Sequence, residues 1–201
     1  YIEQNRSSEN YRLGLKCLQL GQTFIQQMGL LLQSKAVLVD LAKATQESAY
    51  VAIRKREAII PLDFVEPARP VRVVSFLGTI LPAHCTAAGK VHLTFELESA
   101  GGQNLPEHLE RYTKNTITDR NLLRDQIIMI GESGYAVERG EFAEGVNAVA
   151  VPIRDYTRAL VGTLAVVGPE NRLTDETINA AIAPVLLKAG SDLSKRLGFP
   201  G

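Results

Sequence analysis

LPAHCTAAGK, residues Leu81 to Lys90, can be read in three ways: as a thiol nucleophile beside its base, as a shortened phosphate loop, or as a joint between a strand and a helix. Cys85 stands just ahead of an expected helix start, which could favour its thiolate. Neighbouring residues on an extended segment point to opposite sides, however, so His84 is badly placed to deprotonate Cys85. His92 and His108 fall on expected helices with no acidic residue at an orienting spacing. A phosphate loop requires GxxxxGK followed by Ser or Thr, and here Val91 follows Lys90. The joint reading remains. Thr86 would cap a helix and leave the amides of Ala87 and Ala88 directed outward without an intrahelical partner. With the positive helix end, those donors form a receptor for a carboxylate or carbonyl oxygen.

The rest of the chain narrows the classes open to it. Its 201 residues, 45 % hydrophobic and 22 % charged, suit one sizeable soluble domain. Twenty-two basic residues balance twenty-two acidic ones, so no net positive field draws in nucleic acid. Cys17 and Cys85 are too few for a disulfide framework and fit a reducing cytoplasm. No Cys or His pair has zinc spacing, no cofactor motif occurs, and no apolar run approaches the roughly 18 residues of a membrane span. The sequence begins at Tyr1 and reads as part of something longer.

Periodicity gives the elements. Cys17, Leu20, Phe24, Met28 and Leu31 recur at helical spacing beside a second row, Leu18, Ile25 and Leu32, so that one stripe could face the domain and another a partner subunit. Gly29 is the expected stop, with a second helix from about Ser34 presenting Val37, Leu38, Leu41 and Ala42. AYVAIRKREAIIPLDFV (49–65) reads as a hairpin, and PARPVRVVSF (67–76) as a third strand. A helix follows from Thr86, broken at Gly101–Gly102; a short helix is expected over Leu105 to Tyr112 and a longer one over Asp119 to Ile130, ended by Gly134. GYAVE is a strand, NAVAVPIRDYTRALVGTLAVVGP (147–169) a hairpin, and a last helix starts near Thr174 with Ile178, Ile182, Val185, Ala189 and Leu193 inward, bent by Pro184. About six strands in two groups, interrupted by helices, make an α+β fold with an antiparallel sheet. Glu138, Glu141 and Glu144 lie in a charged, glycine-containing stretch that reads as a solvated loop.

Alternation puts Ala148, Ala150 and Pro152 on one face of the first strand of the second hairpin, and Val161, Thr163, Ala165 and Val167 on one face of its mate. If the two faces share a side of the sheet, small side chains leave a hollow there or admit a closely packed helix.

Three segments in order, LPAHCTAAGK, GYAVERGEFAEGVNAVAVPIRD (134–155) and LAVVGPENRLT (164–174), together with the opening YRLGLKCLQLG, resemble the C-terminal effector-binding domain of the isocitrate lyase regulator (IclR) family of bacterial transcription factors. The resemblance implies a GAF-like domain over residues 11–198, a curved antiparallel sheet with helices on both sides and a pocket on one face. Residues 1–10 would be the remnant of a winged helix-turn-helix domain and its linker, through which alone the protein would bind DNA. It further implies a cytoplasmic homodimer or homotetramer sensing a small organic acid, with no cofactor and no metal. Ligand-binding positions implied by motif are Leu81, Ala87, Ala88, Glu138, Ala148, Ala165 and Val167. Some members carry Cys or Ser where this chain has Ala148, Ala165 and Val167, so its pocket wall is more apolar; an unpaired polar ligand group there would cost about 1–3 kcal/mol. The ligand is then expected to give a carboxylate or carbonyl to the Ala87 and Ala88 amides and an apolar or aromatic body to the strands. Glu138 either accepts from a ligand hydroxyl or points to water, and Arg139 is solvated. The alternatives are a small cysteine or acid–base enzyme on a similar sheet, and a dimerisation module with a filled core.

Overall fold

The computed structural model describes residues 1–4, 10–27, 29–99 and 105–201. Two short strands, β1 (Ile2–Gln4) and β2 (Tyr11–Leu13), pair antiparallel outside the main sheet. The helix α1 (Leu15–Gln27) is followed by α2 (Gly29–Thr45). Gly29, the expected stop, is itself helical. The expected inward positions Phe24 and Met28, and the Gly101–Gly102 break, lie outside what is described.

The main sheet has six antiparallel strands in the order β5-β4-β3-β8-β7-β6. The first hairpin is β3 (Ser48–Lys55) and β4 (Ala58–Val65), turning at Arg56–Glu57 with Arg56 at φ 59°. The second is β7 (Val146–Arg154) and β8 (Leu160–Pro169); β8 pairs with β3 and so joins the two hairpins, while β6 (Ala136–Arg139) forms one edge. The opposite edge is β5 (Leu81–Pro82).

Because successive side chains alternate, each strand feeds two cores. Val149, Val151, Ile153, Leu164 and Val166 pack under α2 and α6 (Ala183–Arg196), whereas Ala148, Ala150, Ala165 and Val167 face α3 (Ala87–Ser99) and α4 (Arg120–Ser133). Asp119 caps α4 by accepting from the amides of Asn121 and Leu122, and Gly134 ends it in the left-handed region at φ 77°.

Three expectations fail. Residues 67–76 are not a strand: Pro67 and Pro70 withhold amides, and the segment crosses the sheet as an irregular cover. Side chains hold it instead of a ladder, with the Ser48 hydroxyl donating to the Val73 carbonyl at 2.6 Å. Residues 105–112 are not helical, so His108 sits on irregular chain; Leu105 and Leu109 are buried without it. In the last helix Thr174 caps the single turn α5 (Asp175–Thr177) as read, but a π-helical turn over Ile178–Ile182 follows. That wider turn shifts the phase by one residue. Leu186 and Gly190 therefore face inward and Val185 is 40 % exposed.

Candidate ligand-binding site

Thr86 takes the capping role read for it: its hydroxyl donates to the Pro82 carbonyl at 2.7 Å and accepts the Gly89 amide at 3.2 Å. Gly89 is required by proximity, since a Cβ there would lie 2.1 Å from the Ala83 carbonyl oxygen. Lys90 is wholly buried, and its ammonium donates to Glu141 at 2.5 Å and reaches the Val137 carbonyl at 3.5 Å. The Gly-Lys pair thus locks helix to turn and strand edge. Cys85 is wholly buried and its thiol is pushed well up by burial, while His84 is pulled below its ordinary value by burial and contacts the Glu110 carbonyl at 2.9 Å. Neither forms a nucleophile–base pair.

Next to this joint, on the α3 face of the sheet, is a cavity of about 220 Å³. Its floor comprises Tyr50 of β3, Ala148 of β7 and Val167 of β8; its far side is Phe142, Ala143 and Val146; Val73, Phe76, Thr79 and Ile80 of the cover and then Leu81 and Thr86 close it. Tyr50 meets Phe64 and Phe76 with ring centroids 6.1 and 5.2 Å apart. Register explains the floor. Ala148 pairs with Val167 and Ala150 with Ala165 on one side of the sheet. At the first pair the hollow is open; at the second, α3 packs down onto the small side chains. Both outcomes read for small residues occur, one per pair.

Of the seven positions implied by motif, Leu81, Glu138, Ala148 and Val167 line the cavity. Ala87, Ala88 and Ala165 are fully buried in the adjoining core and do not reach its wall. Sequence reasoning missed Tyr50 and the cover residues Val73 and Phe76. Their alternation looks like ordinary strand, and only the path of the cover over the sheet brings them to the cavity.

Glu138 is the carboxyl of this site, 5 % exposed and facing the cavity. It accepts the Phe142 amide at 3.1 Å. Burial raises its pKa to about 7, against the pull of that amide and of Lys90. Burial and the Glu138 charge keep the Tyr50 phenol well up and protonated. The stretch read as a solvated loop is thus only partly so: Glu138 and Glu141 turn inward, while Glu144 and Arg139 are exposed, Arg139 pairing with Asp175 at 2.7 Å. The hydroxyls of Thr113 and Thr116 hold the turn by donating to the carbonyls of Gly140 and Glu141 at 2.7 and 2.6 Å. Among the described residues no group of three His, Cys, Asp or Glu side chains could hold a metal, and no helix is long and apolar enough to cross a membrane.

A curved antiparallel sheet with helices on both faces and a small, apolar-walled cavity against it has the architecture of a ligand-sensing domain. The model of the bacterial transcriptional regulator IclR C-terminal domain matches residues 22–195. The chain belongs to that family, as its effector-binding domain, and is a regulatory domain, not an enzyme. It is 28 % identical over 205 residues to the HTH-type transcriptional regulator XynR of Escherichia coli K12, covering 100 % of this chain and 79 % of XynR. It is 26 % identical over 200 residues to E. coli KdgR, covering 99 % and 76 %. Among solved structures, a putative IclR transcriptional regulator from Silicibacter sp. TM1040 superposes with a TM-score of 0.87 at 30 % identity, over 99 % of this chain and 78 % of that one. The Thermotoga maritima IclR superposes at 0.83 and 26 %, over 99 % and 80 %.

Proposed function

We propose that this domain senses a small organic molecule with an apolar or aromatic body in the cavity over Ala148 and Val167, and passes its occupancy to a winged helix-turn-helix DNA-binding domain, in the cytoplasm where that DNA lies. The cavity itself carries the reading: it lies beside a buried carboxyl and is walled by Tyr50, Phe76 and Phe142. The relatives named above are longer than this chain, which supports a further domain in the whole regulator. The assembly is a homodimer or homotetramer. Leu15, Leu18 and Leu20 of α1, with Ile2 and Leu13 of the small strand pair, are all more than half exposed, which supports a contact with a second copy.

A ligand that binds only the folded state raises the melting temperature by mass action. Screening small metabolites against the wild-type domain and Ala148→Leu, whose larger side chain enters the cavity, tests the reading. The expected result is a shift in the wild type that is lost in the folded variant. A shift that survives in Ala148→Leu would place the ligand elsewhere and refute the proposal.

A further inference from the structure

We infer that the cleft between the far half of α3 and the tips of the two hairpins is a second ligand site, one that takes a small organic anion with an apolar tail. It is separate from the effector cavity and does not depend on that reading.

The cleft encloses about 520 Å³ and shares no lining residue with the cavity over Ala148. The same elements serve both. β3 passes from Tyr50 at the cavity to Ile53 and Arg54 at the cleft, and β8 leaves the cleft at Leu160 and Val161 to reach the cavity at Val167. Thr86, at the entrance to α3, lines the cavity, whereas His92, Phe95 and Glu96 further along the helix line the cleft.

An unused polar group points to a ligand there. His92 is 7 % exposed, and its Nε2 is buried with no hydrogen-bond partner. A ring nitrogen in that state has lost water without replacement, a standing cost that a partner in the cleft removes. The neutral imidazole carries one N–H, and the tautomer protonated at Nε2 donates to such a partner.

Charge decides which partner. Arg54 is held in the wall: its Nε donates to the Arg56 carbonyl at 2.6 Å, and its Nη1 pairs with Glu96 at 2.7 Å. Arg56, exposed at the hairpin tip, also lines the cleft. Two guanidinium groups against one carboxylate leave the lining positive, with His92 kept neutral first by burial and then by Arg54. The adjoining groove shares Arg54, Arg56 and Glu96 but not His92, and it adds Glu57, Glu107 and Arg120, which reverses the balance. The His92 end is therefore the one that favours an anion, and a guanidinium offers it paired donors. Ile53, Phe95, Leu160 and Val161 make up the rest of the wall, so the head group needs a hydrocarbon tail to cover them. Phe95 is fixed from behind by Arg154, whose guanidinium lies 4.9 Å from the ring centroid.

Butanesulfonate and 1-butanol share a tail, and the sulfonate stays ionised throughout the working range, so they serve as probes for the 201-residue chain. At about pH 7 butanesulfonate is expected to shift the nuclear magnetic resonance signals of the His92 ring nitrogens and to bind at least about tenfold more tightly than the alcohol; tenfold corresponds to about 1.4 kcal/mol. The His92 shifts are expected to persist in Ala148→Leu, which fills the effector cavity. Arg56→Gln, a change at an exposed position, should weaken the sulfonate about threefold, and His92→Phe about tenfold, with the alcohol unaffected. Shifts that vanish in Ala148→Leu would belong to the effector cavity and overturn the second site. Equal affinity for the two probes would refute anion recognition. Sulfonate binding unmoved by both substitutions would be diffuse attraction to surface charge, and refutes the site as well. Should His92→Phe not fold, the wild type and Arg56→Gln decide: no His92 shift with the sulfonate, or no weakening in Arg56→Gln, sinks the assignment.

Discussion

Lys90 has no exposed surface, and its ammonium is held by one Glu141 oxygen, while the other carboxylate oxygen of Glu141 is buried without a hydrogen-bond partner. Desolvating two charges offsets most of their attraction, so such a pair stabilises little relative to apolar replacements, yet removing one partner strands the other. Lys90→Met should therefore lower the unfolding free energy by about 3–5 kcal/mol, and Lys90→Met with Glu141→Leu by distinctly less. Urea denaturation of both variants measures the difference; equal losses would mean that the pair is not coupled. Arg172, in the segment that resembles the family's closing motif, is explained in the same way. It holds Glu47, itself 2 % exposed, with one hydrogen bond at 2.8 Å and a second, shorter one, and donates to the Val71 carbonyl at 3.0 Å. These recognisable residues are fasteners around the cavity, not its walls.

At the scale of elements, the cover over residues 67–80 is the unusual piece. It supplies Val73, Phe76, Thr79 and Ile80 to the cavity although it makes no ladder. Side chains outside it hold its backbone: Ser48 donates to the Val73 carbonyl, Arg172 donates to the Val71 carbonyl, and Glu66 accepts the Ser75 amide at 3.0 Å. A segment without ladder hydrogen bonds opens more readily than the sheet below it. Ser48→Ala, which removes the 2.6 Å contact, should speed amide exchange at residues 71–76 by about five- to tenfold, corresponding to about 1 kcal/mol, and leave β7 and β8 unchanged. Mass-spectrometric hydrogen exchange reads this directly. Uniform acceleration over sheet and cover would show that the contact serves global stability.

For the whole molecule, two buried titrating groups, Glu138 of β6 and His92 of α3, set opposing dependences on pH. Glu138 has its pKa raised by burial from 4.5 to about 7, so its contribution is fully present below about 4.5 and lost as pH rises through 7. His92 has its pKa lowered from 6.5 to about 4, first by burial and then by Arg54. Its contribution is present above 6.5 and lost as pH falls through 4. Between about pH 4.5 and 6.5 the two slopes, each about 1.4 kcal/mol per pH unit, cancel. Relative to the wild type, Glu138→Gln should gain stability with rising pH in that window and His92→Phe should lose it, each at roughly that slope. Unfolding by urea at stepped pH checks both signs. Parallel profiles for all three proteins would show that neither group titrates as its burial requires.

Much of this architecture was legible in local pattern, because it follows from local physics. The alternation in residues 147–169 assigns alanines to one face and β-branched residues to the other whatever packs there, and Thr174, Asp119 and Gly134 mark helix ends through their own hydrogen bonds and backbone freedom. What remained hidden depends on groups distant in the chain. Nothing in PARPVRVVSF reveals that its carbonyls will be taken by Ser48 and Arg172 instead of a neighbouring strand. Nor does anything in GYAVERGEFAE reveal that Glu138 will turn inward, against the cavity and the Phe142 amide. The sequence by itself determined the two hairpins, the two faces of the second and the small-residue floor, since each is a matter of period and propensity. The tertiary structure alone decided that the floor lies open at Ala148 and closed at Ala165, and that a carboxyl faces the opening, because burial and charge pairing arise only when separate segments meet.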